Sequence, residues 1–153
     1  MQWIRRSEPM TPHRQFLERL RSPEPLLALA PMQDVTDLPF WTLLHARGGP
    51  DVYWTEYVRV TATWRPEKWI LRSLVDNPTG CPAIAQLIGN DPEALARAAR
   101  VLQEYPVAAI DLNLGCPAPV VYRKCAGGGS SAIRPGSMRY WGRCAMPSRW
   151  PSR

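Results

Sequence analysis

The segment best suited to chemistry is the turn-forming sequence Asn113-Leu114-Gly115-Cys116-Pro117. Pro117 restricts the backbone on one side of Cys116 and Gly115 frees it on the other, which favours a defined turn that presents the thiol. A thiol held in this way can act as a general acid if it stays protonated. The alternative is that Cys116 is an inert, small apolar side chain.

Other polar side chains also gather where the predicted strands end: Gln33, Asp34, Thr55, Glu56, Gln86 and Asn113. The carboxyl ends of parallel strands are the place where a β/α barrel carries its chemistry, and an open doubly wound sheet binds ligands there too. The first strand is not followed by a G-x-G-x-x-G turn, which argues against a dinucleotide-binding open sheet.

The elements that position these residues alternate between strand and helix. The stretches 26–30, 51–55, 83–88 and 107–112 predict four strands. The first is continuously apolar and is therefore expected to be buried on both faces, and the second is rich in strand-favouring residues. Helical spacing and caps predict helices after Asp37, around 69–74 and over 94–104. This alternation predicts an α/β fold with a parallel sheet.

Composition sets limits on function and location. The net charge of +6 is concentrated in residues 130–153, which hold five arginines and no acid, so it says little about what the rest of the chain binds. Four cysteines without a C-x-x-C pair favour reduced thiols over a disulfide framework or a zinc site. No apolar stretch is long enough for a membrane span, and the N-terminus does not look like a signal, so we expect a cytoplasmic protein.

Four motifs in order resemble those of the tRNA-dihydrouridine synthases: 29–37 (LAPMQDVTD), 55–57 (TEY), 86–92 (QLIGNDP) and 111–117 (DLNLGCP). The resemblance covers about 26–129. It implies a TIM barrel that binds FMN and reduces selected uridines of tRNA, with NADPH as electron donor.

The resemblance also assigns roles to five residues. Hydride from the flavin would reach C6 of uracil while Cys116 gives a proton to C5. Gln86 would hydrogen-bond the flavin ring, Pro31 and Met32 would line it, and Asn113 would hold the edge of the uracil or the flavin. The alternatives are a turn-forming Asn113 that bonds its own backbone, a solvated Gln86, and Pro31 and Met32 as plain core residues.

Several assignments are left open by the sequence. Glu56 and Arg59 could face RNA or form a surface ion pair, the tryptophans fit packing better than base stacking, and Cys125 receives no role. Two other functions compete with the first: an FMN-dependent barrel that acts on a small pyrimidine, and a non-catalytic fragment whose basic tail binds RNA.

The domain organisation predicted from these motifs has three parts. Residues 1–25 form an N-terminal extension, 26–129 form the first half of a (β/α)8 barrel, and 130–153 form a tail unrelated to it. Reading plausible codons one base earlier turns this tail into an amphipathic helix followed by a strand, as the next βα unit requires. We therefore expect a single-base frameshift near Gly129, and a truncated form of the enzyme.

Overall fold

The computed structural model describes residues 10–132, so most of the predicted tail lies outside the described residues. The elements in chain order are α1 (Pro12–Arg21), β1 (Ala28–Leu29), α2 (Leu38–His45), β2 (Val52–Trp54), β3 (Val58–Arg59), α3 (Lys68–Val75), β4 (Ala83–Ile88), α4 (Pro92–Leu102), β5 (Ala109–Leu112), α5 (Pro119–Tyr122) and a 3-10 helix at Gly127–Ala132. None of the helices within residues 10–132 is both long and apolar enough to span a bilayer.

All strand pairings in the sheet are parallel. β1 pairs with β2, and β4 pairs on one edge with both β2 and β3 and on the other with β5. Strands β2 and β3 are therefore two parts of one strand position, separated by residues 55–57. Because the four positions follow one another in sequence order without the reversal of a doubly wound sheet, the architecture is that of the first βα units of a TIM barrel. The fold-class prediction is confirmed.

The alternation of side chains along β4 separates the two faces of the sheet. Ala83, Ala85 and Leu87 belong to the large core that also contains the buried face of α4. The other set, Ile84, Gln86 and Ile88, points to the opposite face, which in a barrel is the interior. All six residues of β4 are buried, as expected for a central parallel strand.

Local capping explains where two predicted helices begin. The carboxylate of Asp37 accepts the N–H of Phe40 at the start of α2. The carboxylate of Asp91 accepts the N–H groups of Glu93 and Ala94 at the start of α4. The cap at Asp91 was predicted from the sequence, which for α2 left Thr36 and Asp37 as alternatives, and α3 confirms the helix expected around 69–74.

The first strand differs from the one predicted at 26–30. β1 is only two residues long, Ala28 is exposed, and Leu27 just before it is 63% exposed, so the expectation of a strand buried on both faces is wrong. Within the described residues β1 pairs with β2 alone and is an edge of the sheet. A continuous apolar run cannot distinguish an edge position from a central one.

Helix α1 was not predicted, although Thr11 caps it and Pro12 occupies its first turn. Its Phe16 packs against an apolar cluster of Val52, Ile84 and Ala108, which lie at or next to the amino ends of β2, β4 and β5. His13 Nδ1 donates to the carbonyl of Ala108 at 2.8 Å. The helix therefore covers the end of the sheet opposite to the predicted site.

Candidate active site

Four polar side chains from three strand positions meet on the interior face of the sheet. The indole N–H of Trp54 and the amide nitrogen of Gln86 both donate to Oδ2 of Asp111, at 3.2 and 2.6 Å. The amide nitrogen of Asn113 donates to Oε1 of Gln86 at 2.9 Å. These bonds form a chain from Trp54 through Asp111 and Gln86 to Asn113, and both side-chain contacts of Gln86 are to residues on or directly after β5.

Gln86 is held in one orientation by this network. Gln86 is only 6% exposed, so it is not the solvated glutamine considered as the alternative. An ionised carboxylate only accepts hydrogen bonds, so Asp111 requires the nitrogen end of the amide on its side. The backbone N–H of Gln86 donates to Oγ1 of Thr55 at 3.2 Å. One amide hydrogen and one lone pair of Gln86 are left for a ligand.

Asn113 connects this network to the cysteine turn. Its Oδ1 accepts the backbone N–H groups of Gly115 and Cys116 at 3.1 and 2.9 Å, which is the turn role considered for it as an alternative. Its second amide hydrogen remains available beyond the bond to Gln86. Asn113 can therefore hold the turn and contact a ligand at the same time.

Cys116 is half-buried and packs against an apolar cluster of Ile88, Val121 and Ala126. Its carbonyl accepts the N–H of Gly128 at 2.9 Å. A Cβ placed on Gly127, whose φ is +52°, would lie 3.0 Å from both Cβ and the carbonyl oxygen of Cys116. The glycine-rich segment after α5 thus packs directly on the cysteine turn and fixes its position. Cys125, without an assigned role, is exposed.

Pro31 and Met32 follow β1, two strand positions away from β4. Met32 is 56% exposed, so it is not a core residue, whereas Pro31 is half-buried. The backbone of Met32 is fixed by Thr36, whose hydroxyl accepts the Met32 N–H at 2.9 Å. Within the described part of the chain, neither residue forms a hydrogen bond with Trp54, Gln86, Asp111 or Asn113.

Glu56 fits neither of the two alternatives considered for it. Glu56 is only 4% exposed, so its carboxyl neither points outward to RNA nor forms an ion pair on the surface. Burial is the main cause that raises the pKa of Glu56; a hydrogen bond from the Asp34 backbone lowers it, and the carboxylates of Asp34 and Asp37 raise it further. The guanidinium of Arg59 lies 5.9 Å from the ring centre of Tyr57.

Two members of the network were missed from the sequence. Asp111 was recognised only as part of a motif, and Trp54 was assigned to packing. The available signal was the spacing: residues 111 and 113 lie two apart at a strand end and so point to one face. The residues that the structure describes contain no group of three or more His, Cys, Asp or Glu side chains arranged to hold a metal ion.

The dihydrouridine synthase family model matches residues 28–133, a range that contains β1 through β5 and the cysteine turn. The chain belongs to this family. Among curated dihydrouridine synthases, it is 39% identical over 113 residues to the tRNA-dihydrouridine(16) synthase of Ralstonia nicotianae, covering 70% of this chain and 34% of that protein.

Two further relatives of the dihydrouridine synthase family show the same extent of match. The tRNA-dihydrouridine synthase B of Serratia marcescens is 39% identical over 101 residues, which is 66% of this chain and 30% of the relative. A probable tRNA-dihydrouridine synthase of Staphylococcus aureus is 33% identical over 109 residues, 70% of this chain and 33% of the relative. The chain thus spans about a third of the length of these curated relatives.

Proposed function

We propose that this chain is the first part of a cytoplasmic enzyme that reduces uridine to 5,6-dihydrouridine in tRNA. Membership of the dihydrouridine synthase family supports this proposal. The observation that carries it is the thiol of Cys116 in a turn that Asn113 holds and connects to Gln86. The resulting site lies at the carboxyl end of a parallel sheet, where barrel enzymes carry out their reactions.

The residues of the site fit a flavin ring as cofactor. Gln86 and Asn113 each keep an unused amide hydrogen, and a flavin ring edge offers carbonyl oxygens and ring nitrogens as acceptors. The apolar face of the flavin ring could pack against two residues that follow β1, the half-buried ring of Pro31 and the exposed thioether of Met32. Bound FMN, reduced by NADPH, would provide the hydride that the uracil ring takes up at C6.

The role of Cys116 in this proposal is to transfer a proton. Addition of hydride at C6 leaves negative charge over C5 and the neighbouring carbonyl, and C5 takes the S–H proton of Cys116, which becomes a thiolate. Asn113 contributes by fixing the turn, since its Oδ1 accepts the N–H of Cys116. The proline after the cysteine limits movement of the turn further.

We also propose that residues 130–153 are read out of register. The test therefore compares the chain as written with a form in which the reading register beyond Gly129 is restored. We expect the restored protein to be yellow and to form dihydrouridine in tRNA from a strain that lacks this modification. We expect the chain as written to bind no flavin. A chain as written that binds a full equivalent of flavin would contradict the proposed truncation.

Substitution of the thiol tests the chemistry in the restored protein. Cys116→Ala should lower the rate of dihydrouridine formation by about 10²–10⁴-fold, the usual contribution of a positioned acid. The control is Cys125→Ser, because Cys125 is an exposed cysteine outside the network and its loss should leave the rate unchanged. An undiminished rate in Cys116→Ala would refute the proposed mechanism.

A further inference from the structure

A pocket opens at the end of the sheet that carries the Gln86 network, beside the cysteine turn. It has a volume of about 200 Å³ and lies between the loops that follow β3 and β4 and the end of α5. Its lining includes the apolar residues Val60, Ile88 and Val121. The cationic residues Arg59 and Lys124 also line it. None of the lining residues within the described part of the chain is acidic.

The pocket is adjacent to the proposed reaction site. Ile88, Val121 and Ala126 line the pocket, and the same three residues form the apolar cluster on which Cys116 packs. The side chain of Asn90 donates to the carbonyl of Lys124 at 2.8 Å and so links the loop after β4 to the end of α5. The two sides of the pocket are therefore held together independently of any ligand.

The two cations of the pocket have no anionic partner. Neither Arg59 nor Lys124 forms an ion pair with another of the described residues. The guanidinium of Arg59 donates to the hydroxyl of Tyr57 at 3.4 Å and lies 5.9 Å from the centre of its ring. Two cations without an ion pair in a pocket that also has apolar lining residues are suited to a ligand that combines a phosphate with a flat ring.

We infer that this pocket binds a nucleotide of the RNA strand next to the target uridine, an inference that rests on the proposed function. The base would lie against the apolar residues of the pocket and its phosphate would contact Arg59 and Lys124. The pocket is smaller than sites that enclose a whole small-molecule ligand, which have volumes of about 300–1,000 Å³. Its size therefore favours one nucleotide unit over a free dinucleotide.

The experiment measures binding of a short oligouridylate to the 153-residue chain at several salt concentrations. The variant Arg59→Gln/Lys124→Gln should bind about tenfold more weakly. Its slope of log affinity against log salt should be smaller by about 0.7–1.4, as expected for the loss of one or two phosphate contacts to a single strand. The charge-preserving variant Arg59→Lys/Lys124→Arg should recover most of the affinity.

The matched control is Arg47→Gln/Arg100→Gln, which removes the same charge from exposed positions outside the pocket. All variants keep the basic residues of 130–153, so the contribution of that segment is the same in each. Equal weakening in the two double variants would overturn the inference, and so would the absence of any RNA binding. UMP or NADPH that binds as tightly as the oligonucleotide, with the same dependence on Arg59 and Lys124, would overturn the assignment to RNA.

Failure of this inference can be distinguished from failure of the proposed function. If dihydrouridine formation depends on Cys116 but RNA affinity is unaffected by Arg59→Gln/Lys124→Gln, only the assignment of the pocket to RNA is overturned. RNA affinity that depends on the pocket, without any dihydrouridine formed by the restored protein, would overturn the proposed reaction and the placement beside a target uridine.

Discussion

Gln86 and Asp111 lie directly opposite each other on the paired strands β4 and β5, and the amide nitrogen of Gln86 donates to Oδ2 of Asp111 at 2.6 Å. Because the carboxylate only accepts, this bond determines which end of the amide points toward Asn113. Asn113 in turn accepts the N–H of Cys116. The orientation of the cysteine turn therefore depends on a carboxylate that lies three hydrogen bonds away.

The first prediction concerns this carboxylate. Asp111→Ala leaves the indole of Trp54 and the amide of Gln86 without their acceptor, and we expect a loss of about 2 kcal/mol in the free energy of unfolding. Asp111→Asn keeps an oxygen that can accept both bonds, so it should cost only about 1 kcal/mol. Urea unfolding measures both values. Equal losses in the two variants would show that the hydrogen bonds do not matter.

The second prediction concerns the buried carboxyl of Glu56. Its pKa is raised in the fold, mainly by burial, so the folded protein holds this proton more tightly than the unfolded chain. The stability contributed by Glu56 is fully present below its unfolded pKa and is lost as the pH rises through the folded pKa. At pH 7 the ionised group is therefore unfavourable.

Glu56→Gln should raise the free energy of unfolding at pH 7, and this gain should shrink toward zero below about pH 4. Urea unfolding at both pH values measures the effect. The control is Glu104→Gln, because Glu104 is exposed and its substitution should change little at either pH. A gain that is the same at both pH values would exclude the ionisation of Glu56 as its cause.

The third prediction concerns the contact between Gly127 and the cysteine turn. Gly127→Ala places a methyl group 3.0 Å from Cys116 at a backbone φ of +52°, so it should displace the turn and change the rate at which Cys116 is alkylated. Gly80→Ala is a matched control, since Gly80 has a φ of +65° but open space around it. Peptide mass spectrometry after timed alkylation measures the rate at Cys116.

Both glycine variants should lose about 1 kcal/mol of stability from the left-handed backbone alone. Only Gly127→Ala should alter the alkylation of Cys116. A similar change in Gly80→Ala would mean that general loosening of the fold, and not the local contact, controls the reactivity of the thiol.

The fourth prediction concerns helix α1. Phe16→Ala removes the ring that packs on Val52, Ile84 and Ala108, and we expect a loss of about 2–3 kcal/mol, somewhat below the usual range for a fully buried phenylalanine. Leu20→Ala on the same helix should cost less than about 0.5 kcal/mol because Leu20 is 55% exposed. Thermal or urea unfolding compares the two. Equal effects would show that α1 does not pack on the sheet as described.

Local sequence patterns were sufficient to predict most of the helices and strands. Asp91 and Pro92 indicated the start of α4 because capping involves only neighbouring residues. The short run before Pro31 could not indicate that β1 is an exposed edge, because edge position depends on which strands pair with it. Helix α1 escaped notice because its apolar side is short and becomes meaningful only against the ends of the strands.

The sequence by itself determined the α/β alternation, the family and the turn that holds Cys116, since periodicity, caps and an Asx-type turn are encoded within a few residues. Only the tertiary structure decided that Trp54, Asp111 and Gln86 share hydrogen bonds and that Arg59 and Lys124 border one pocket. These residues are far apart along the chain, and the register of the parallel strands and the packing of α5 bring them together.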